Sequence, residues 1–318
     1  MNERKKIVVL GGGSGLSTLL RGLKDYPLDI TAIVSVCDDG KSTGRLRKEF
    51  KTPAVGDIRR VLVSLSETEP LFEQLLNYRF KTTSDLNGHT VGNLLLTAMA
   101  NITGSLSEGI ESLSKVLNLK GKILPLTEDN VVLMGKMEDG TIIEGEHNIT
   151  LSDKVIKDVF YKEVPIVTEE AIGSIKEADL IILSMGSIYT SIIPNLLCEE
   201  IIKAIDKSKA KIMYVCNLMT QPGETDNFNV SHHVKLLNKY LGKRKIEILM
   251  VNNGNIEEEL VKKYETLEQK DPVIFDKEHL QDLKINIIED DFIAIENETI
   301  RHNVVKLAFY IFSTLLNK

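Results

Sequence analysis

Gly11, Gly12, Gly13 and Gly15 crowd into five positions around Ser14, directly behind the apolar run Ile7-Val8-Val9-Leu10. Glycine admits positive φ and lets a second molecule approach the main chain closely. Leu16, Leu19, Leu20 and Leu23 follow at helical spacing, so the stretch reads as a buried strand, a tight turn and a helix start. The first amides of a helix have no internal partner and carry the positive end of its dipole. Such a junction is an anion cradle, most often for phosphate. A merely structural turn needs one glycine, not four. The dinucleotide fingerprint is incomplete, because Leu16 stands where its third glycine belongs.

A second apolar run, 29–37, ends in Asp38-Asp39-Gly40. In a doubly wound sheet this strand end lies beside the first glycine turn. Asp38, 25 positions past Gly13, suits a ribose hydroxyl; the pair also suits a metal or plain helix capping. Gly40-Lys41-Ser42-Thr43 looks like the tail of a P-loop, but Ser35 occupies the position of its first glycine. The better reading is a second polar loop opening a helix. Arg45 and Arg47 then stand ready to fork onto a phosphate, or form a solvated basic face. Asp57 in Gly56-Asp57 reads as a helix N-cap. His89, set among Gly88, Gly92 and Asn93, is a candidate acid, base or hydrogen-bond donor.

The pattern recurs further on. The strand 178–184 opens into Gly186, Ser187 and Thr190, which suit either phosphate oxygens or ordinary capping. The strand 211–216 ends in Asn217, Thr220, Gln221 and Glu224. Arg301 precedes the last apolar helical stretch. A cation at a helix start opposes the dipole and invites a bound anion.

These groups need elements to hold them. Apolar runs alternating with helical patterns predict an α/β chain with a mostly parallel sheet and helices on both faces. Open sheets of this kind bind ligands at the carboxyl ends of their strands, so the polar loops converge on one cleft. Between Lys122 and about Thr150 the texture changes. Short runs at 123–126, 131–134 and 141–145, with turn signals such as Asp139-Gly140 between them, predict a small inserted antiparallel β subdomain. The expected division is a core, 1–118; the insert, 119–167; and the rest of the core, 168–318.

The chain has 318 residues, 39 Lys+Arg against 46 Asp+Glu, and a net charge of -7. An acidic chain is a poor nucleic-acid binder. Three scattered cysteines indicate neither a disulfide framework nor a zinc site. The start shows no signal peptide and no apolar stretch is long enough to span a bilayer, so a cytoplasmic protein is expected.

The ordered motifs GGGSGL, DDGKSTGRLR, VGDIRR, GHTVGNLLL, GSIYTSIIPNLL, NLMTQPGET and RHN resemble the YvcK-type gluconeogenesis factor family, itself related to the 2-phospho-L-lactate transferases. The resemblance runs from about residue 5 to 316. It implies a Rossmann-like core with a small inserted domain. It also implies a UDP-sugar or other diphosphate nucleotide as partner, and a role in cell shape and envelope growth on gluconeogenic carbon sources. No cofactor is then required for binding. The alternative is an Mg²⁺-dependent transferase using a nucleotide-linked phospho-donor. Homo-oligomerisation is left open. By matching motif, Gly11 to Gly15 hold the diphosphate. Asp38 and Asp39 lie near the metal and acceptor and are catalytic only in a transferase. Asn217, Thr220 and Gln221 form the nucleotide-side loop, and Arg301 lies beside the ligand. Arg45, Asp57, His89, Asn93, Gly186, Ser187 and Thr190 complete the candidate set. This chain departs at Gly40-Lys41, where two glycines are common, and at Ser184-Met185-Gly186-Ser187, where G-P-G-S is usual.

Overall fold

The computed structural model describes residues 4–68 and 70–316. Seven strands form one sheet: β1 (Lys5–Gly11), β2 (Leu28–Val34), β3 (Lys122–Pro125), β7 (Leu180–Leu183), β8 (Lys211–Val215), β9 (Ile248–Asn252) and β10 (Asn286–Asp290), in the spatial order β10-β9-β8-β7-β1-β2-β3. Every neighbouring pair is parallel. β1 pairs with β2 from Lys5↔Leu28 to Gly11↔Val34, and with β7 from Ile7↔Leu180 to Leu10↔Leu183. The strand order reverses between β1 and β7, which makes that crevice the topological switch point of a Rossmann-like sheet.

Consecutive residues of β1, β2, β7 and β8 are buried. Unbroken burial means that both faces are covered by helices, which is why these strands lack polar alternation. α1 (Gly13–Leu23) buries Leu16, Leu19, Leu20 and Leu23 completely. It packs against α3 (Gly56–Leu65) and the C-terminal helix Val304–Leu316. α2 (Lys41–Phe50) follows the acidic loop.

The antiparallel insert comprises β4 (Leu133–Met137), β5 (Ile142–Glu144) and β6 (Ile156–Tyr161), in the order β5-β4-β6. The run at 123–126, expected to belong to this insert, is instead the edge strand β3 of the main sheet, paired from Thr31↔Lys122 to Val34↔Pro125. A four-residue apolar run carries no mark of its partner, so periodicity alone misplaced it. The insert lies against the carboxyl-end loops: Tyr161 donates to the Pro194 carbonyl at 3.0 Å and Ile156 N to Gly223 O at 3.0 Å. A second hairpin, β11 (Ile293–Glu296) with β12 (Thr299–His302), precedes the last helix. Arg301 therefore stands on a strand and not at a helix start, and the dipole argument for it does not apply.

Candidate functional site

The glycine turn behaves as its residue types require. Gly13 takes φ +63°, and Gly12 is an extended N-cap with no side-chain cap bond. A Cβ on Gly11 would lie 2.1 Å from Ser184 Oγ, and one on Gly15 1.2 Å from the Met185 carbonyl oxygen. The two strand-end loops at the switch point are thus in backbone contact.

The cradle is already engaged by the chain. Gly13 N donates to Asp57 Oδ2 at 2.6 Å, and Arg60 Nη1 to Asp57 Oδ1 at 2.7 Å. Asp57 was read as the cap of its own helix; that cap is Val55. Its carboxylate instead serves the start of α1, 44 residues earlier. Burial, opposed by Arg60 and reinforced by Asp38, raises its pKa above the usual carboxylate range.

Three cavities run along the carboxyl rim. The largest, about 550 Å³, is lined by Ser14, Gly15, Gly186, Ser187, Asn217, Thr220, Gln221 and Arg301, so four separate loops of the candidate set meet there. A second, about 340 Å³, shares Ser14, Thr18, Arg301 and His302 with the first and adds Arg60. A third, about 210 Å³, also reaches Arg60 and contains Asp38 and Asn93. The first and second cavities adjoin through four shared residues, and Arg60 lies between the second and the third.

Along this rim the polar loops order one another. Asn217 Nδ2 donates to Gly186 O at 2.8 Å. Ser187 caps a π-helical turn, Ile188–Ile192, accepting from Thr190 N at 3.0 Å and Thr190 Oγ1 at 2.7 Å. Thr220 exchanges bonds with the Asp271 backbone at 2.8 and 2.9 Å. Arg301 is exposed and lines two cavities, and its side chain has no hydrogen-bond or ion-pair partner among the described residues.

Glu224 is buried beneath this wall. It accepts from Ser187 Oγ, and from Gln221 Nε2 at 2.5 Å. Burial pushes its carboxyl up to about 7 despite the Ser187 bond. Between about pH 4.5 and 7 the folded chain therefore holds a proton that the unfolded chain has released. Stability must fall as pH rises through that window, by roughly 3 kcal/mol for a shift of this size. Glu224→Gln is expected to flatten this slope, and the difference in urea midpoints between wild type and variant at pH 5 and pH 8 measures it. Identical slopes would remove Glu224 as the cause.

On the acidic side, Asp38 Oδ1 accepts from Gly40 N at 2.9 Å, while Asp39 Oδ1 accepts from His147 N of the insert at 2.8 Å. Glu146 next to it is raised well above the usual range by burial and by Asp57, Asp38, Asp39 and Glu224. His89 is buried, its Nδ1 lies 2.9 Å from Ser42 Oγ, and burial with Arg45 nearby lowers its pKa. Asn93 donates to Ser42 Oγ at 3.2 Å and accepts from Arg59 Nε at 3.0 Å.

Two arginines read as phosphate forks are spent inside the chain. Arg45 donates to the carbonyls of Asp85 and Asn87. Arg47, buried, donates to the Cys37 and Asp38 carbonyls at 2.9 and 3.0 Å and to Asn130 Oδ1 at 2.7 and 2.9 Å. Arg60 and Lys270 line the cleft and were missed. Arg60 lies in the VGDIRR motif, a signal that was present; Lys270 follows an unremarkable helix and gave none.

The chain from residue 7 to 293 matches the profile of a family described as 2-phospho-L-lactate transferase CofD. The chain belongs to this family. It is 48% identical over 309 residues to the gluconeogenesis factor of Bacillus subtilis strain 168, covering 97% of each chain. It is 46% identical over 309 residues to the gluconeogenesis factor of Halalkalibacterium halodurans, covering 96% of this chain and 95% of the relative. Its fold matches an X-ray crystal structure of a Bacillus halodurans protein with TM-score 0.94 at 45% identity, covering 98% of this chain and 100% of the other. A further crystal structure from that organism, of a protein described as a upf0052 family member, gives TM-score 0.93 at 45% identity, covering 97% and 99%. Among the described residues no helix is long and apolar enough to cross a membrane.

Proposed function

We propose that this protein is a cytoplasmic regulator that binds a UDP-sugar and acts as a gluconeogenesis factor, in support of cell shape and envelope growth on gluconeogenic carbon sources. The observation that carries the ligand reading is the convergence of the loops after β1, β7 and β8 with Arg301 on one cavity of about 550 Å³. That volume falls within the range of small-molecule sites. It lies at the switch point, where such sheets take nucleotides. Amides and hydroxyls of Ser14, Gly186 and Ser187 suit a diphosphate, and the Arg301 side chain, unpaired among the described residues, adds a charge-assisted fork. Two names among the relatives, both gluconeogenesis factors, support the physiological part.

Arg301→Ala is expected to weaken UDP and UDP-sugar binding about 30-fold, since a hydrogen bond to a charged group contributes roughly 2 kcal/mol. Isothermal titration with UDP-glucose and UDP-N-acetylglucosamine, with and without Mg²⁺, measures it. Unchanged affinity in the variant would reject this placement of the diphosphate.

The family match and the carboxylate side of the cleft favour a second reading, a Mg²⁺-dependent transferase. Among the described residues no group of three or more His, Cys, Asp or Glu is placed to hold a metal. Mg²⁺, however, uses one or two carboxylates together with waters and ligand phosphates, and Asp38 has that chemistry. Asp39 is turned to the His147 amide. Bound there, Mg²⁺ would neutralise phosphate charge, and Asp38 would hold it. Metal-dependent consumption of a nucleotide-linked donor, lost in Asp38→Asn with binding retained, would establish this reading over the first.

A further inference from the structure

The small cavity beside the acidic loop holds more positive charge than a diphosphate at the switch point uses. Lys41, Arg59, Arg60 and Arg79 line it, with Asp38 and His147 as the other titratable groups. Arg60 is paired with Asp57. Lys41, Arg59 and Arg79 form no ion pair among the described residues. Arg59 is only 7% exposed. Its Nε and Nη1 go to the neutral amides of Asn93 and Asn77, and Nη2 has no acceptor among the described residues. Asp57 and Asp38 act on it only from beyond ion-pair distance, and a buried guanidinium without a direct carboxylate partner is an unfavourable arrangement. Burial and the neighbouring Arg60 and Arg79 bring its pKa down to about 10. Lys41 holds φ +40° at the first position of α2, a conformation that favours glycine. A cation is thus kept at a strained position, and it lines the same cavity. The cavity, about 210 Å³, is below the usual size of a nucleotide-scale pocket and suits a single oxyanion.

We infer that this cavity is a second oxyanion site, in which Arg59, Arg79 and Lys41 take a carboxylate or phosphate group separate from the diphosphate. The group is carried either on the sugar of the nucleotide-linked ligand or on an independent acceptor. The sugar arm rests on the UDP-sugar reading; the phosphate arm does not.

The test is calorimetric titration of the full chain and of Lys41→Gly and Arg79→Gln, with three probes. Lys41→Gly relaxes a strained φ and is expected to fold. If the anion rides on the sugar, UDP-glucuronate binds wild type about tenfold tighter than UDP-glucose, and the preference falls below about twofold in both variants. If it rides on an acceptor, inorganic phosphate binds the UDP-saturated protein, and each variant loses that binding at least about tenfold. Equal affinity for the two UDP-sugars together with no phosphate binding at millimolar concentration overturns the inference. Failure of UDP itself to bind would reject the UDP-sugar reading alone, and phosphate titrated into the free protein would then decide the oxyanion site.

Discussion

Gly15→Ala is expected to destabilise the protein by about 3–4 kcal/mol and to abolish UDP-sugar binding at the cavity that Ser14 and Gly15 line. The new Cβ would sit 1.2 Å from the Met185 carbonyl oxygen and 2.4 Å from its carbon. A flexible side chain could swing away from such a contact; this neighbour is backbone, in the loop that follows β7. Either that loop or α1 must leave its seat, and α1 buries four leucines against the sheet, α3 and the last helix. Overpacking usually costs about 1–3 kcal/mol, and a backbone collision lies at or beyond the upper end. Gly173→Ala is the control. It lies in the helix Glu169–Glu177 with nothing within 4 Å of its ideal Cβ, so alanine there is expected to stabilise by up to about 1 kcal/mol. Urea unfolding of the two variants decides the matter. A Gly15→Ala midpoint equal to that of Gly173→Ala would mean that the two loops are not in contact.

Asp57→Ala is expected to lower stability by about 2–3 kcal/mol while tightening metal-free UDP binding about five- to tenfold. The loss arises because Gly13 N and Arg60 both lose their acceptor, in a place where Asp57 is only 4% exposed. An orphaned buried donor costs about 1–3 kcal/mol, and Arg60, being half exposed, adds little. The gain arises because Asp57 occupies the helix N-terminus that a diphosphate would use. Removing a like charge at such range is worth roughly 1 kcal/mol or more. Chemical denaturation and calorimetry on the same preparation separate the two effects. Weaker binding, appearing only when Mg²⁺ is present, would instead assign Asp57 to the metal and favour the transferase reading.

The positions of chemistry are legible in the sequence alone. Four glycines behind Ile7–Leu10, the polar turns after 183 and 216, and near-continuous apolar strands together require a parallel sheet with a polar rim, because local composition sets element type and the period of burial sets how many faces are covered. The hairpin bearing Arg301 was not legible. Its turn places Asn297 and Glu298 at φ 48° and 56°, with glutamate where glycine normally marks such a turn.

Which groups remain free for a ligand was decided only by the folded chain. Asp57 and Arg47 read locally as a cap and a phosphate fork, yet each is committed to a partner tens of residues away. Arg301, expected beside the ligand, lines the cleft, whereas Arg59, not singled out among the candidates, lines its small cavity with Nη2 unbonded among the described residues. A short-range pattern fixes what a side chain is able to bind. Which partner reaches it first depends on contacts between distant segments, and those exist only once the sheet has brought its loops to one rim.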